Sequence, residues 1–295
     1  MRYRPFGRAG MAVSAVSLAL DGEDLKSAGA WRDLVHAAFE EGINAFELRR
    51  PSPELAEGLA EGASAVPRRL LFVGLRVEES EEAGPLVRGI EEFIDRSGLG
   101  YFDLLSVEAT PAPPRGVPAA LRALKDQGRA AWLGVAGDHD LLEPHVEAGG
   151  FDALITPFNI LSGWRERHMV RAAAERQLAV IGCDPYPARA AELAKAAADE
   201  AKPGWLAKPT LAGAGTYAFM CDTPGWSAEQ ICLAYALTEP AVASVQTVSV
   251  DREHLASLAE VPERDLPAGA SAQVEMARFS AERAAGTERR RVMRA

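Results

Sequence analysis

Short apolar runs alternate with amphipathic stretches along almost the whole chain. Ser14–Leu20, Ile43–Phe46, Leu70–Leu75, Tyr101–Val107, Ala131–Val135, Phe151–Thr156, Leu178–Cys183 and Ala241–Val248 read as strands. Leu70-Leu-Phe-Val-Gly-Leu75 is continuously apolar, as a parallel strand buried on both faces must be. Between these runs the period changes to that of a helix. In Trp31–Glu41 the apolar positions are Leu34, Val35, Ala38 and Phe39; in Glu82–Ser97 they are Leu86, Ile90 and Phe93. Further helices are predicted over Pro53–Gly62, Ala119–Gln127, Arg165–Gln177, Arg189–Ala201, Ser227–Thr238, Asp251–Ala259 and Ala272–Ala285. Punctuation agrees with them. Gly42 and Gly128 end helices, Pro53 starts one where its missing N–H costs little, and Ser227 caps another. Apolar residues flanking Gly7-Arg-Ala-Gly10 predict a small hairpin within Tyr3–Val13.

Eight strands, each followed by a helix, predict an α/β protein: one parallel (β/α)8 TIM barrel with an N-terminal β-hairpin, a single domain over residues 1–295. Residues 189–225 lie between the last two strands. There the Ala-rich helix is followed by Lys202–Gly225, rich in Gly, Pro and Thr and read as an ordered loop. The basic tail, residues 286–295, reads as a solvated or frayed end.

In such barrels chemistry is placed at the C-terminal ends of the strands. Those ends carry charge here: Glu47, Arg49 and Arg50 after the second strand, Arg76 after the third, Glu108 after the fourth and Asp184 after the seventh. His139, in Ala136-Gly-Asp-His-Asp140, is the one histidine placed at that face; Asp138 or Asp140 reads as a helix cap. His36, His145, His168 and His254 fall in helices or at their ends, and no spacing predicts a metal. Trp164, Trp205 and Trp226 fall in loops near the same face and are candidates to wall a pocket.

Composition adds exclusions. The chain is 48% hydrophobic and 25% charged, ample for a large core. A net charge of −10 argues against nucleic acid and against an anionic membrane surface. No apolar run approaches the roughly 20 residues of a membrane span, and Met1-Arg-Tyr-Arg-Pro-Phe6 lacks a secretory apolar core. Cys183, Cys221 and Cys232 form no CxxC and read as free, buried thiols in a reducing cytoplasm.

Several stretches, in order, resemble the aldo-keto reductases. Tyr3-Arg-Pro-Phe-Gly-Arg-Ala-Gly-Met-Ala-Val-Ser14 is similar to that family's opening hairpin. Ala38-Phe-Glu-Glu-Gly-Ile-Asn-Ala-Phe46 and Tyr101-Phe-Asp-Leu-Leu105 resemble two of its strands, Leu121–Val135 a helix–strand unit, and Ser227–Leu237 a late helix. The resemblance implies the barrel fold, and a family chemistry of NADPH-dependent carbonyl reduction by an Asp, Tyr, Lys and His tetrad.

At the corresponding positions this sequence differs. They read Glu47, Arg50 or Ser52, Arg76 and Glu108, and no tyrosine lies between Arg4 and Gly100. The polar contacts that hold the nicotinamide in the family fall on Ala136-Gly137 and Ile155, and the stacking aromatic on Cys183. The phosphate turn reads Thr247-Val-Ser-Val250, with Lys208 and Arg252 left as possible anion grips. A positioned general acid is worth roughly 10²–10⁴-fold, and an arginine does not supply one. No cofactor is therefore expected, with NADP(H) entering only if a conventional reductase reading holds.

Three readings stay open. In the first, Glu47, Arg76 and Glu108 act by acid/base chemistry on a small anionic molecule at the barrel mouth, aided by Arg49, Arg50, His139 and Asp184. In the second, the barrel is a non-catalytic binding or scaffold protein, and Glu47–Arg76 is an ion pair joining two strand ends. The third is an atypical reductase.

Overall fold

The structure, a computed structural model, describes residues 1–77, 82–110, 116–200 and 217–280. A two-stranded antiparallel ribbon comes first: β1 (Tyr3–Pro5) pairs with β2 (Ala12–Ser14), Tyr3 opposite Ser14. Eight parallel strands follow: β3 (Val16–Asp21), β4 (Ala45–Arg49), β5 (Phe72–Val77), β6 (Phe102–Glu108), β7 (Ala130–Ala136), β8 (Ala153–Pro157), β9 (Ala179–Cys183) and β10 (Ser244–Val248). They close into a barrel in chain order, β10 bonding both β9 and β3.

The helices alternate with them: α1 (Ala28–Glu40), α2 (Pro53–Ala63), α3 (Ala83–Ser97), α4 (Val117–Asp126), α5 (His139–Ala148), α6 (Trp164–Glu175), α7 (Ala188–Glu200), α8 (Phe219–Asp222), α9 (Ala228–Leu237) and α10 (Arg252–Ala259). Residues 270–280 are also helical. Ser27, Ser52, Ser227 and Asp251 cap their helices with side-chain hydrogen bonds, satisfying N–H groups that a helix start leaves unpaired. Asp138 takes the N-cap position of α5 without a side-chain bond. Gly42 and Gly128 adopt φ of +78° and +75°, the left-handed turn expected after each helix.

Strand alternation divides the core in two. Phe46, Leu48, Val73, Leu75 and Leu105 pack outward against the helices. Ala45, Phe72, Leu104, Ala136, Ile155 and Ile181 fill the lumen. The hairpin closes the lumen from below: Phe6 stacks near Phe72 and Trp132, with centroids 4.7 and 5.5 Å away.

Several boundaries differ from the sequence reading. Ser14 belongs to the hairpin, and the first barrel strand starts at Val16. The second runs from Ala45 to Arg49 rather than Ile43 to Phe46, so Glu47 stands inside it. The stretch Lys202–Gly225 includes α8; the remainder to residue 216 lies outside the described residues, as do Trp205, Lys208 and the tail 286–295.

Candidate functional site at the barrel mouth

The same alternation that turns Phe46 and Leu48 toward the helices turns Ala45, Glu47 and Arg49 into the lumen. On β5 the inward set is Phe72, Gly74 and Arg76; on β6 it includes Leu104, Ser106 and Glu108. Register sets their heights. Glu47 pairs across to Gly74, Arg76 to Ser106, and Glu108 to Ala136. The three charges therefore climb one inward position per strand, and Arg76 lies between two carboxylates.

Glu47 is 4% exposed. Its Oε2 accepts a hydrogen bond from Nη2 of Arg76 at 3.2 Å, and its Oε1 accepts one from Nε of Arg49 at 3.2 Å. Nε of Arg76 lies 2.8 Å from Oε1 of the same carboxylate, so Glu47 engages the guanidinium twice. Nη1 of Arg76 makes a single long contact, 3.4 Å, to Oε1 of Glu108, whose side chain is 32% exposed. Arg49 in turn donates through Nη2 to Oε1 of Gln246 at 2.7 Å. The result is one chain of alternating groups from Gln246 on β10 to Glu108 on β6.

Burial works against the charge of Arg76, but the fields of the carboxylates Glu47 and Glu108 and the hydrogen bond to Glu47 outweigh it and raise the guanidinium pKa. Cys183 ends β9 beside these groups. Burial pushes its thiol up to about 11, with Arg76 pulling the other way, so it is a neutral thiol at pH 7.

The other predicted residues separate. Asp184 adopts φ +51°; partial burial raises its carboxyl, and its carbonyl accepts from Nδ2 of Asn159 at 3.0 Å. Arg50, at φ +43°, pairs with Asp21 and with Glu23 at 3.0 Å. That turn presses against Gly22, where a Cβ would meet the Arg50 carbonyl oxygen at 2.1 Å. His139 opens α5 and contacts Asp140 at 2.9 Å and Glu166 at 3.8 Å. Arg252 is exposed on α10 and paired with Glu40 of α1. Trp164 is 74% exposed and stacked on His168; Trp226 lies under Arg264. Cys221 is exposed, against the expectation that all three thiols are buried; Cys232 is buried.

Sequence reading missed Gln246 and the nearness of Cys183 to Arg76. A polar residue inside the apolar run Ala241–Val248 was the available signal for Gln246.

Beside the mouth, a cleft of about 880 Å³ opens between α2, α3 and the end of β5. Arg76, Leu75, Val77, Leu86, Ile90 and Phe93 border it. Among the described residues there is no group of three side chains placed to hold a metal, and no helix is long and apolar enough to cross a membrane.

The aldo-keto reductase AKR11C1 from Bacillus halodurans has a similar structure. Its holo form aligns with a TM-score of 0.69 at 15% identity, over 93% of this chain and 95% of that one. Its apo form gives 0.67 at 14% over the same shares. The chain has the aldo-keto reductase fold. At this identity the likeness concerns the fold, and the site must be argued from its own residues. No family model matches the sequence, and no curated protein does.

Proposed function

We propose that the barrel mouth binds a small anionic molecule on Arg76 and exchanges a proton with it through Glu108. The observation that carries this reading is Nη1 of Arg76, which meets only Glu108, through one long 3.4 Å contact, in a site where the guanidinium is permanently charged. A ligand oxygen is the natural partner for such a donor. Glu47 is too enclosed and too fully bonded to trade protons with a ligand. Its role is to fix the plane of Arg76 from below. Glu108, joined by one long contact, is the carboxylate with freedom to act as acid or base. A carboxylate seated on Arg76 would bring its neighbouring carbon toward Glu108, a layout suited to proton transfer or elimination.

Two features support setting hydride transfer aside. None of the five tyrosines stands in a barrel strand or in the turn after β4, and no lysine stands in a barrel strand. The ends of β7, β8 and β9 offer Ala136, Ile155 and a neutral Cys183, which do not fit the amide and ring of a nicotinamide.

The enclosure of Glu47 favours a second reading, in which the charge chain braces the strands and the mouth binds without turnover. Thermal shift separates the readings from a reductase. Benzoate is expected to raise the Tm of the wild-type protein and not of Arg76→Met, while NADPH leaves it unchanged. A rise with micromolar NADPH would overturn the proposal. Phenylacetate, whose carbon next to the carboxylate carries hydrogens, binding with no exchange of deuterium at that carbon would favour the second reading.

A further inference from the structure

Resting on the anion-binding reading above, we infer that the ligand is a monocarboxylate with a compact apolar body, its carboxylate shared by Arg76 and Arg49 and its body against Pro157, Cys183 and Val248 across the same lumen. Strand alternation places these three residues. On β8, Ala153 and Ile155 fill the lumen, so Pro157 points inward at the strand end. On β9, Ile181 does, and Cys183 follows it. On β10, Ser244 and Gln246 border the lumen, so Val248 stands one inward step above Gln246. Register sets Pro157 beside Cys183. The mouth is therefore divided. The last inward residues of β4, β5 and β6 are Arg49, Arg76 and Glu108; those of β8, β9 and β10 are Pro157, Cys183 and Val248. Between the halves stand Ala136 on β7, fully buried, and Asp21 on β3, held by Arg50.

The charged half offers two donors to one anion. Nη1 of Arg76 meets only Glu108, at 3.4 Å. Arg49 spends Nε on Glu47 and Nη2 on Gln246, and its Nη1 has no partner among the described residues. Both arginines bring Nε within 3.2 Å of the same oxygen, Oε1 of Glu47, so their guanidiniums are neighbours. A carboxylate, with two oxygens, serves both.

The other half sets the body. Its residues are two apolar side chains and a thiol that is neutral at pH 7. Pro157 and Cys183 are half-buried, and Val248 is 58% exposed at the rim. The gap is short, because Glu47, Arg49 and Arg76 all act on the Cys183 thiol from the charged half. A second anionic group reaching this side meets no cation there, and Asp184, whose field also reaches that thiol, repels it. An aryl or branched alkyl carboxylate fits both halves. Acetate reaches only the cations, and succinate sets a charge against the apolar half. The cleft between α2 and α3 lies behind β5, against outward Leu75 and Val77, and takes no part in this site.

Calorimetric titration of the whole protein with benzoate, acetate and succinate tests this. Benzoate should bind the wild type more tightly than either of the others. Val248→Thr keeps the shape and exchanges a methyl for a hydroxyl. It should lower the preference for benzoate over acetate by roughly fourfold, the worth of one methyl group lost from contact. Val248→Asn should lower it further, and circular dichroism checks that both variants fold. A preference unchanged in both variants overturns the placement of the body and leaves the anion-binding reading intact. Acetate or succinate binding at least as tightly as benzoate overturns the ligand class. No binding of any probe to the wild type removes the anion-binding reading itself, and this inference with it.

Discussion

Replacing Arg76 by Met is the sharpest perturbation of the charge chain. Met keeps most of the length of the side chain but neither the charge nor the donors. Glu47 then stays 4% exposed with Arg49 as its remaining cation, at 3.2 Å. Stripping one partner from a buried pair costs about 3–5 kcal/mol, because the other charge stays desolvated. Arg49 is a third exposed and still bonds Glu47, so the expected loss is about 2–3 kcal/mol, at or below the bottom of that range. Urea unfolding followed by far-UV circular dichroism reads it as a lower midpoint at unchanged slope. Glu47→Leu combined with Arg76→Met removes both charges, leaving Arg49 its bond to Gln246. The double variant should recover at least about 1 kcal/mol relative to the sum of the single changes. A loss under about 0.5 kcal/mol for Arg76→Met, or strict additivity in the double variant, would refute the shared buried charge.

Three further outcomes follow from the same coordinates. Gly22→Ala sets a Cβ against the Arg50 carbonyl at 2.1 Å, so the two loops must part; a loss of about 2–4 kcal/mol is expected from thermal unfolding. For Asp152, burial alone would raise the carboxyl, but Lys125 at 2.5 Å, the Leu133 N–H and Arg8 hold it below its usual value. A depressed folded pKa gives stability that is present above about pH 4 and lost as pH falls through the folded value, so Asp152→Asn should flatten the acid limb of a stability–pH curve. Iodoacetamide at pH 8 should modify exposed Cys221 in the native protein and spare Cys183 and Cys232, whose thiols burial pushes up to about 11 and about 12; intact mass counts the adducts.

The barrel was legible because its signals are redundant. The predicted strands are short stretches dominated by apolar residues, and caps such as Ser227 and stops such as Gly128 mark the helices independently. The site was only half legible, for one physical reason. A lumen admits a polar side chain at every second position, so β4 continues through Glu47 and Arg49 although the apolar run ends at Phe46. Hydropathy therefore placed Glu47 beyond the strand, when it stands within it. Arg50 was grouped with Arg49 by adjacency, yet the left-handed turn at Arg50 sends it to Asp21 and Glu23. That turn depends on Gly22, nearly thirty residues earlier, a contact no local pattern reports. Arg252 was chosen by its place after the last strand, but its guanidinium meets Glu40 on the outer face of the barrel. α5 escaped description in the sequence because Pro144 interrupts a short helix with few inward residues, Leu142 and Val146.

A crystal structure grown with both benzoate and NADPH present tests the central claim most directly. The account predicts a carboxylate oxygen of benzoate within hydrogen-bond distance of the Arg76 guanidinium. A nicotinamide ring seated over Glu47 at the mouth, with Arg76 untouched by benzoate, would contradict it.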